Sequence, residues 1–285
     1  MEKYETTLIK NGFLLTMTGE GVGSIIDGAV AIKGQDIVAV DKTDEIVKEY
    51  GDAEHIIDAK GKAVLPGFID GHIHTGLSLA RGLAQDVPEI EWMLKTMAPY
   101  TRNYTPKHSI TGSRLGVLEA LKAGTTTFGE IGSNMGPVAD KVFIPAGVRA
   151  NLANTINQIG PESRPDPNEL YIFFKDIGEK KFKEAVELIE KYDGAGEGRI
   201  TGILGPHGAD MMDKELLLRV KKKAEELGKL AHIHVAQGGR EERQMKKRYG
   251  MTTIKFLDSI DYLDDNIIAA HCHQTTDDEV ALLAQ

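Results

Sequence analysis

The pattern of apolar positions divides the chain into two parts. Residues 1–64 contain short β-prone runs separated by turns rich in Gly and Asp. Within TTLIKNGFLLTM, the Asn11-Gly12 pair between two such runs predicts a β-hairpin. With a short helix around residues 44–50, these runs predict a small antiparallel β unit, too short to bury a core alone.

From Leu65 onward, strand-like apolar runs alternate with segments of helical periodicity. The strand-like runs are residues 67–74, 124–130, 148–155, 200–208, 230–236 and 266–273. Strands that alternate with helices of this length predict parallel βαβ units. The second part of the chain, residues 65–285, is therefore predicted to have an α/β fold with six parallel strands.

Apolar spacing and end signals predict the helices between these strands. The helix over residues 109–123 is predicted to bury Ile110, Leu115, Leu118 and Leu121. A second helix covers residues 179–192. A third covers residues 214–227, with Asp213 as its N-cap and Gly228 after its end. Thr276 and Glu279 form a capping box that opens a last helix.

Composition and charge exclude several classes of protein. The 285 residues are 41% hydrophobic and 27% charged, which is typical of a folded globular chain. The formal net charge of −9 argues against nucleic acid or an anionic membrane surface as a partner. A single cysteine forms no intrachain disulfide, and no signal peptide or membrane-spanning run is visible. We therefore expect a cytoplasmic protein.

Histidines mark the ends of three predicted strands. Six of the nine histidines form the H-x-H pairs His72/His74, His232/His234 and His271/His273. Side chains two residues apart on a strand project from the same face, and active sites of parallel barrels lie at the carboxyl ends of the strands. Neutral imidazole is a common ligand of zinc and also suits iron. The pairs therefore predict a metal site.

Several segments resemble one enzyme family. LPGFIDGHIH (residues 65–74) resembles the opening signature of the amidohydrolase superfamily. LARGLAQDVPEIEWM, LKAGTTTF, GPHGAD, HIHVA and AAHC resemble its aminohydrolase and chlorohydrolase branch, which includes purine deaminases and triazine hydrolases. The resemblance covers essentially the whole chain. It implies a (β/α)8 TIM-type barrel, with six of eight strands in residues 65–285, and a small β-sandwich to which residues 1–64 contribute.

The resemblance also implies roles for individual histidines. His72 and His74, after the first barrel strand, and His234, after the fifth, would be metal ligands. His271, after the sixth strand, would be catalytic and would orient the water that the metal activates. Residues 149–155 contain no lysine to bridge two ions. One divalent ion is therefore expected, with zinc favoured over iron or manganese.

The chemistry that follows is hydrolysis of an aminated heterocycle. A divalent ion lowers the pKa of a bound water from about 15.7 towards 7, and the resulting hydroxide would displace ammonia from a purine, pterin or triazine ring. Deaminases of this branch carry a glutamate where this chain has the candidate catalytic residue Gln237, and a neutral amide does not shuttle a proton. A chlorohydrolase, an amide hydrolase and a catalytically inactive member of the family are therefore alternatives.

Three more residues are expected to bind the small heterocyclic substrate. His207 lies in GPHGAD, Arg149 in GVRAN, and Trp92, the single tryptophan, would pack over a planar ring. The structural alternatives are capping for His207, pairing with a carboxylate for Arg149, and burial against the barrel wall for Trp92.

The family's barrel is longer than this chain. In the family the eighth strand supplies an aspartate ligand, which has no counterpart in residues 1–285. We expect the chain to be the N-terminal part of a longer protein, with a second chain that completes the barrel as the alternative. We also expect a homo-oligomer.

Overall fold

The chain divides into two compact units, Met1–Gly67 and Phe68–Gln285. The computed structural model describes residues 5–83, 85–88, 91–160, 162–163 and 169–284. The division lies three residues after the predicted domain boundary.

The first unit is a mixed β-sheet covered by one helix. Its elements are β1 (Thr6–Leu15), β2 (Ser24–Lys33), β3 (Asp36–Lys42), α1 (Thr43–Tyr50), β4 (His55–Asp58) and β5 (Ala63–Val64). The strand order is β3-β2-β1-β4, and β5 also pairs with β1. The prediction of a purely antiparallel unit is wrong, because β4 and β5 both run parallel to β1. The small core contains Leu8, Ala29, Ala31 and Ile46.

The hairpin predicted at Asn11-Gly12 is also wrong. β1 continues through this pair, and its register against β2 shifts on both sides of Gly12. Asn11 has a φ of 60°, so the left-handed residue produces a β-bulge rather than a chain reversal. Its side chain donates to Asp58 at 2.8 Å, and a Cβ on Gly12 would lie 2.7 Å from Val64. The Asn-Gly pair thus allows β1 to contact the parallel strands β4 and β5 closely.

The second unit alternates parallel strands with helices. Its strands are β6 (Phe68–Ile73), β7 (Thr125–Gly132), β8 (Arg149–Ile156), β9 (Ile200–Gly202), β10 (Gly205–Pro206), β11 (Ala231–Val235) and β12 (Ile267–His271). Its longer helices are α2 (Pro106–Lys122), α3 (Lys175–Tyr192), α4 (Lys214–Leu227), α5 (Gly239–Tyr249), α6 (Thr253–Ser259) and α7 (Asp277–Leu283). Every strand pairing described here is parallel, which confirms the α/β class.

The sheet order brings the carboxyl ends of these strands to one edge. One sheet runs β6-β7-β8-β10, with β9 also on β8, and β11 pairs with β12. Isolated parallel bridges at Leu204–Ala231 and Gly208–His234 connect the two sheets. The single strand predicted over residues 200–208 is therefore two short strands. Both pair with β8, while Leu204 and Gly208, on either side of β10, form the bridges to β11.

Helix α4 begins and ends, and α7 begins, where the sequence signals predict. The Asp213 carboxylate accepts the Leu216 N–H at 2.9 Å, and Gly228 ends α4 with a φ of 61°. Thr276 and Glu279 form the predicted capping box of α7. The buried face of α4 packs in one core with strand residues Ile233 and Val235. Among the described parts of the chain, no helix has both the length and the apolar character to cross a membrane.

Helix α2 buries a different face from the one predicted. Its buried residues are Ser109, Gly112, Ser113, Gly116 and Val117, whereas Leu118 is 56% exposed. The small residues allow close packing on a 3₁₀ helix at Thr75–Ala80. A Cβ on Gly112 would lie only 2.2 Å from the Gly76 carbonyl oxygen. Backbone proximity, rather than the leucine spacing, therefore orients α2.

We expect Gly112→Ala to destabilise the second unit. An exposed helical glycine gains up to about 1 kcal/mol on replacement by alanine, but here the new methyl overlaps main-chain atoms, and overpacking typically costs about 1–3 kcal/mol. Chemical denaturation would measure the fall in the free energy of unfolding. Leu118→Ala, on the exposed side of the same helix, should change it by less than about 0.5 kcal/mol. Equal stability of the two variants would contradict this packing.

Candidate metal centre

Histidines from three strands meet at the carboxyl edge of the sheet. The ring centroid of His72, on β6, lies 4.8 Å from those of His74 and His234. It lies 4.9 Å from the ring of His232 and 5.0 Å from that of His271. The three predicted ligands and the predicted catalytic histidine are therefore brought together, along with a fifth ring.

Main-chain carbonyl groups orient two of these rings. His74 Nδ1 donates to the Ile131 carbonyl at 2.6 Å, and His234 Nδ1 donates to the His207 carbonyl at 2.5 Å. A carbonyl oxygen only accepts, so the Nδ1 atoms carry the protons. Burial is the main cause that lowers the pKa of both histidines, which disfavours their charged forms. Each neutral ring therefore has its lone pair on Nε2.

The two Nε2 atoms face each other at a distance that fits a shared cation. They lie 3.2 Å apart. Two lone pairs at this distance repel each other unless a positive charge lies between them. Two nitrogens bound to one tetrahedral zinc, each about 2.0–2.1 Å from it, are separated by about 3.3–3.4 Å. The observed separation thus matches that of two ligands of one zinc ion.

His72 offers a third ligand atom. Its Nε2 is buried without a hydrogen-bond partner among the described residues, while its Nδ1 lies 2.9 Å from Nε2 of His232. Burial, followed by the neighbouring histidines, lowers the pKa of His72 to about 3 and that of His232 to about 4. A buried lone pair without a partner is costly, and metal ligation would remove that cost. His232 thus lies behind His72 and supports its ring.

His271 lies on the solvent side of the same cluster. Ring nitrogens of His72, His234 and His271 all lie within 4.8 Å of one another, and His271 is exposed. Its backbone has a φ of 76°, a left-handed conformation that is rare for residues with a Cβ. Burial, followed by His273, lowers its pKa. The ring is therefore neutral at physiological pH and adjacent to both water and the ligand atoms.

Gln237 follows strand β11 in a segment that Glu241 holds. The two carboxylate oxygens of Glu241 accept the N–H groups of Ala236 at 2.9 Å and Gln237 at 2.7 Å, and the first oxygen also accepts the Thr253 hydroxyl. Burial, and then the charge of Asp210, raises the pKa of Glu241. This carboxylate therefore positions the backbone that follows β11.

The residues predicted to bind substrate have different positions. His207 lies beside the cluster, with its ring 4.9 Å from that of His234. Arg149 is the exposed first residue of β8 and pairs with Thr127, so it lies at the amino edge of the sheet, opposite the histidines. The structure does not bring Arg149 to the cluster. Trp92 lies half-buried on an irregular helical segment, and its substrate contact stays a prediction.

Sequence reasoning missed one buried acid beside the ligand segment. Glu130 on β7 is 1% exposed and accepts the N–H of Thr75, the residue after His74, at 2.9 Å. Burial raises the pKa of Glu130 to about 8. A lone acidic residue inside the apolar run TTTFGEIG was the available signal, because such a charge is rarely buried without a structural or functional partner.

The part of the chain that carries these histidines matches a known protein family. A family model described as Amidohydrolase family matches residues 63–285. The chain belongs to the amidohydrolase family. This confirms the resemblance found in the motifs.

Curated relatives of this amidohydrolase chain include enzymes named as deaminases. It is 34% identical over 277 residues to a 5'-deoxyadenosine deaminase of Methanococcoides burtonii, covering 97% of this chain and 59% of the relative. It is 33% identical to a 5-methylthioadenosine/S-adenosylhomocysteine deaminase of Thermococcus sibiricus, covering 98% and 60%. The chain thus spans about three-fifths of the length of these relatives.

Solved structures share the fold. An adenosine deaminase from Xanthomonas campestris with bound zinc superposes with a TM-score of 0.80 at 24% identity, covering 98% of this chain and 60% of that one. A zinc complex of atrazine chlorohydrolase from Arthrobacter aurescens gives 0.83 at 21% identity, covering 98% and 63%. These likenesses support the barrel architecture, and zinc is present in both proteins.

We expect the complete protein to bind one zinc ion and to lose it when His74 or His234 becomes alanine. Changing a residue that only supports a ligand costs about 10–100-fold in metal affinity, so removing a ligand should cost more. Elemental analysis and competition with a chelator would measure stoichiometry and affinity. His55→Ala, in the first unit, is the matched control and should keep full zinc. A His234→Ala variant that keeps one tightly bound zinc would contradict the ligand assignment.

Proposed function

We propose that the chain is the metal-binding part of a hydrolase that deaminates an adenosine derivative with one divalent ion, zinc in the first instance. The observation that carries this proposal is the 3.2 Å approach of the Nε2 lone pairs of His74 and His234, beside the unpartnered Nε2 of His72. The names of the curated relatives support the reaction and the class of substrate.

Each histidine would have a separate role at this edge of the sheet. His72, His74 and His234 would hold the ion, which when bound lowers the pKa of water to about 7 and so supplies a nucleophile. His271, on the solvent side, would orient the attacking water by a hydrogen bond. His207, beside His234, would contact the heterocycle. The new bond joins the water oxygen to the ring carbon, and the bond to the amino nitrogen breaks. One proton of the water would leave with the amino group as ammonia, and the other would pass to the ring nitrogen.

Gln237 favours a second candidate reaction. Its amide donates and accepts hydrogen bonds but does not carry a proton between water and the leaving group. The amino group must gain a proton to leave as ammonia, whereas chloride leaves without one. A chlorohydrolase on the same scaffold would therefore depend less on an acid at this position. A substrate contact is the role for Gln237 that both reactions share.

The barrel itself is proposed to be completed by further strands. Among the described pairings, β6 bonds only to β7 and β12 only to β11, and Ile69 on β6 is 75% exposed. Open parallel edges with exposed apolar residues favour additional pairing. We propose that a further segment or a second chain supplies these strands in a (β/α)8 barrel, together with the rest of a sandwich that includes the first unit.

We expect the complete, zinc-loaded protein to release ammonia from 5'-deoxyadenosine, and its Gln237→Glu variant to do so faster. A correctly placed general acid–base contributes about 10²–10⁴-fold, which sets the upper range of the gain. Steady-state ammonia release, with zinc content measured on the same samples, would test this. Gln274→Glu adds the same charge at an exposed position nearby and should leave kcat unchanged.

The products distinguish the candidate functions. Ammonia from the nucleoside supports deamination, whereas chloride from a chlorinated triazine with no ammonia from aminopurines supports the chlorohydrolase. If neither the wild type nor Gln237→Glu turns over any of these compounds while zinc is bound, the enzymatic proposal is overturned. A ligand-binding member of the family would then remain.

A further inference from the structure

A buried amide connects α3 to the histidine cluster. Asn157 follows the last residue of β8 and is 6% exposed. Two donors converge on its Oδ1: the ammonium group of Lys181, on α3, at 2.6 Å and the main-chain N–H of Ile159 at 3.1 Å. Because an ammonium group has protons and no acceptor, these contacts assign the carbonyl oxygen of the amide to this side.

The opposite side of the amide faces His207. Nδ2 of Asn157 lies 3.0 Å from Nδ1 of His207. An amide NH2 group only donates, so Nδ1 of His207 accepts and the neutral ring carries its proton on Nε2. Reversing the amide would place its NH2 group against the ammonium of Lys181. Lys181 therefore acts on the tautomer of His207 through the amide of Asn157.

The tautomer of His207 is the reverse of that of the neighbouring ligands. His74 and His234 have protons on Nδ1 and lone pairs on Nε2, which suits them to bind a cation. His207 has its lone pair engaged by Asn157 and its proton on the far edge of the ring. The ring of His207 lies 4.9 Å from that of His234 and is half-buried. Its contribution to the site is therefore a hydrogen-bond donor.

We propose that Lys181 and Asn157 are positioning residues that hold His207 as an Nε2–H donor, so that the site selects heterocycles with an unprotonated ring nitrogen at the contacted position. This inference rests on the proposed function, because it assigns His207 to the substrate of that reaction. Aminopurines carry such nitrogens. A heterocycle with an N–H at the same place would set a second donor against the Nε2–H of His207. A heterocycle with a C–H there would offer that group no acceptor.

The tautomer is measured directly on the zinc-loaded, complete protein without substrate. In two-bond ¹H–¹⁵N spectra of histidine-labelled protein, the unprotonated ring nitrogen resonates downfield of the protonated one, and loss of signals in His207→Gln assigns the ring. We expect the proton on Nε2 in the wild type and on Nδ1 in Asn157→Asp, since a carboxylate only accepts. Lys181→Met should give a mixture, and Lys183→Met, whose side chain is 79% exposed on the same helix, should match the wild type.

Binding of nucleoside analogues tests the selectivity. The probes are 5'-deoxyadenosine and its 1-deaza, 3-deaza and 7-deaza analogues. We expect the wild type to bind one of these analogues about 10–100-fold more weakly than the parent, the usual consequence of one lost hydrogen bond in a buried site. In Asn157→Asp this preference should fall to less than about threefold, while Lys183→Met should retain it.

The outcomes separate this inference from the proposed function. A proton on Nδ1 of His207 in the wild type, or an unchanged tautomer in Asn157→Asp, overturns the positioning roles whatever the activity. An unchanged analogue preference in Asn157→Asp overturns the selectivity. If no nucleoside is bound or deaminated but the tautomer switches as expected, the proposed substrate class fails while the roles of Lys181 and Asn157 are supported.

Discussion

Two hydrogen bonds from imidazole to main chain set the geometry of the site. The carbonyls of Ile131 and His207 each hold an Nδ1 proton, so the lone pairs of His74 and His234 are directed to one point. Each carbonyl belongs to a segment next to the strand that carries the ring. The register of the parallel sheet therefore determines where the lone pairs meet. A shift in strand pairing would move the two Nε2 atoms apart.

The loops after β11 and β12 hold this edge in a strained conformation. Ala236, His271 and Cys272 all have positive φ, at a cost of about 1–2 kcal/mol for each residue with a Cβ. Hydrogen bonds offset part of this cost: the Cys272 N–H donates to Val235 and the Gln274 N–H to Ala236, both at 2.9 Å. The Glu241 carboxylate accepts two more hydrogen bonds, from the N–H groups of Ala236 and Gln237. The ends of the two strands are thus bound to each other, which keeps His271 beside His234.

Features that depend on periodicity or on a local cap could be predicted from the sequence. The alternation of strand side chains predicts that His72 and His74 share a face, and the cap at Asp213 predicts the start of α4. Features that depend on tertiary contact could not. The leucine spacing predicted the wrong buried face of α2, because the glycines of α2 pack against the backbone at Gly76. The Asn11-Gly12 pair predicted a hairpin, but it produces a bulge within β1. The position of Arg149, by contrast, could have been predicted, because it lies at the start of the predicted strand over residues 148–155 and hence at the amino end of that strand. The carbonyl groups that accept from the ligand histidines could not be predicted, because no side chain marks them in the sequence.

The distribution of charge explains why histidines alone do not complete the centre. Among the described residues, the group that could hold an ion is His72, His234 and His271, with His74 facing His234, and it contains no carboxylate. Asp70, Glu130 and Glu241 lie nearby, but each accepts main-chain N–H groups instead. A divalent ion held by neutral imidazoles would keep its full charge in a partly buried site, where an unbalanced charge is costly. An anionic oxygen must therefore come from water, from substrate or from a further strand, and a carboxylate on that strand would link metal binding to closure of the barrel.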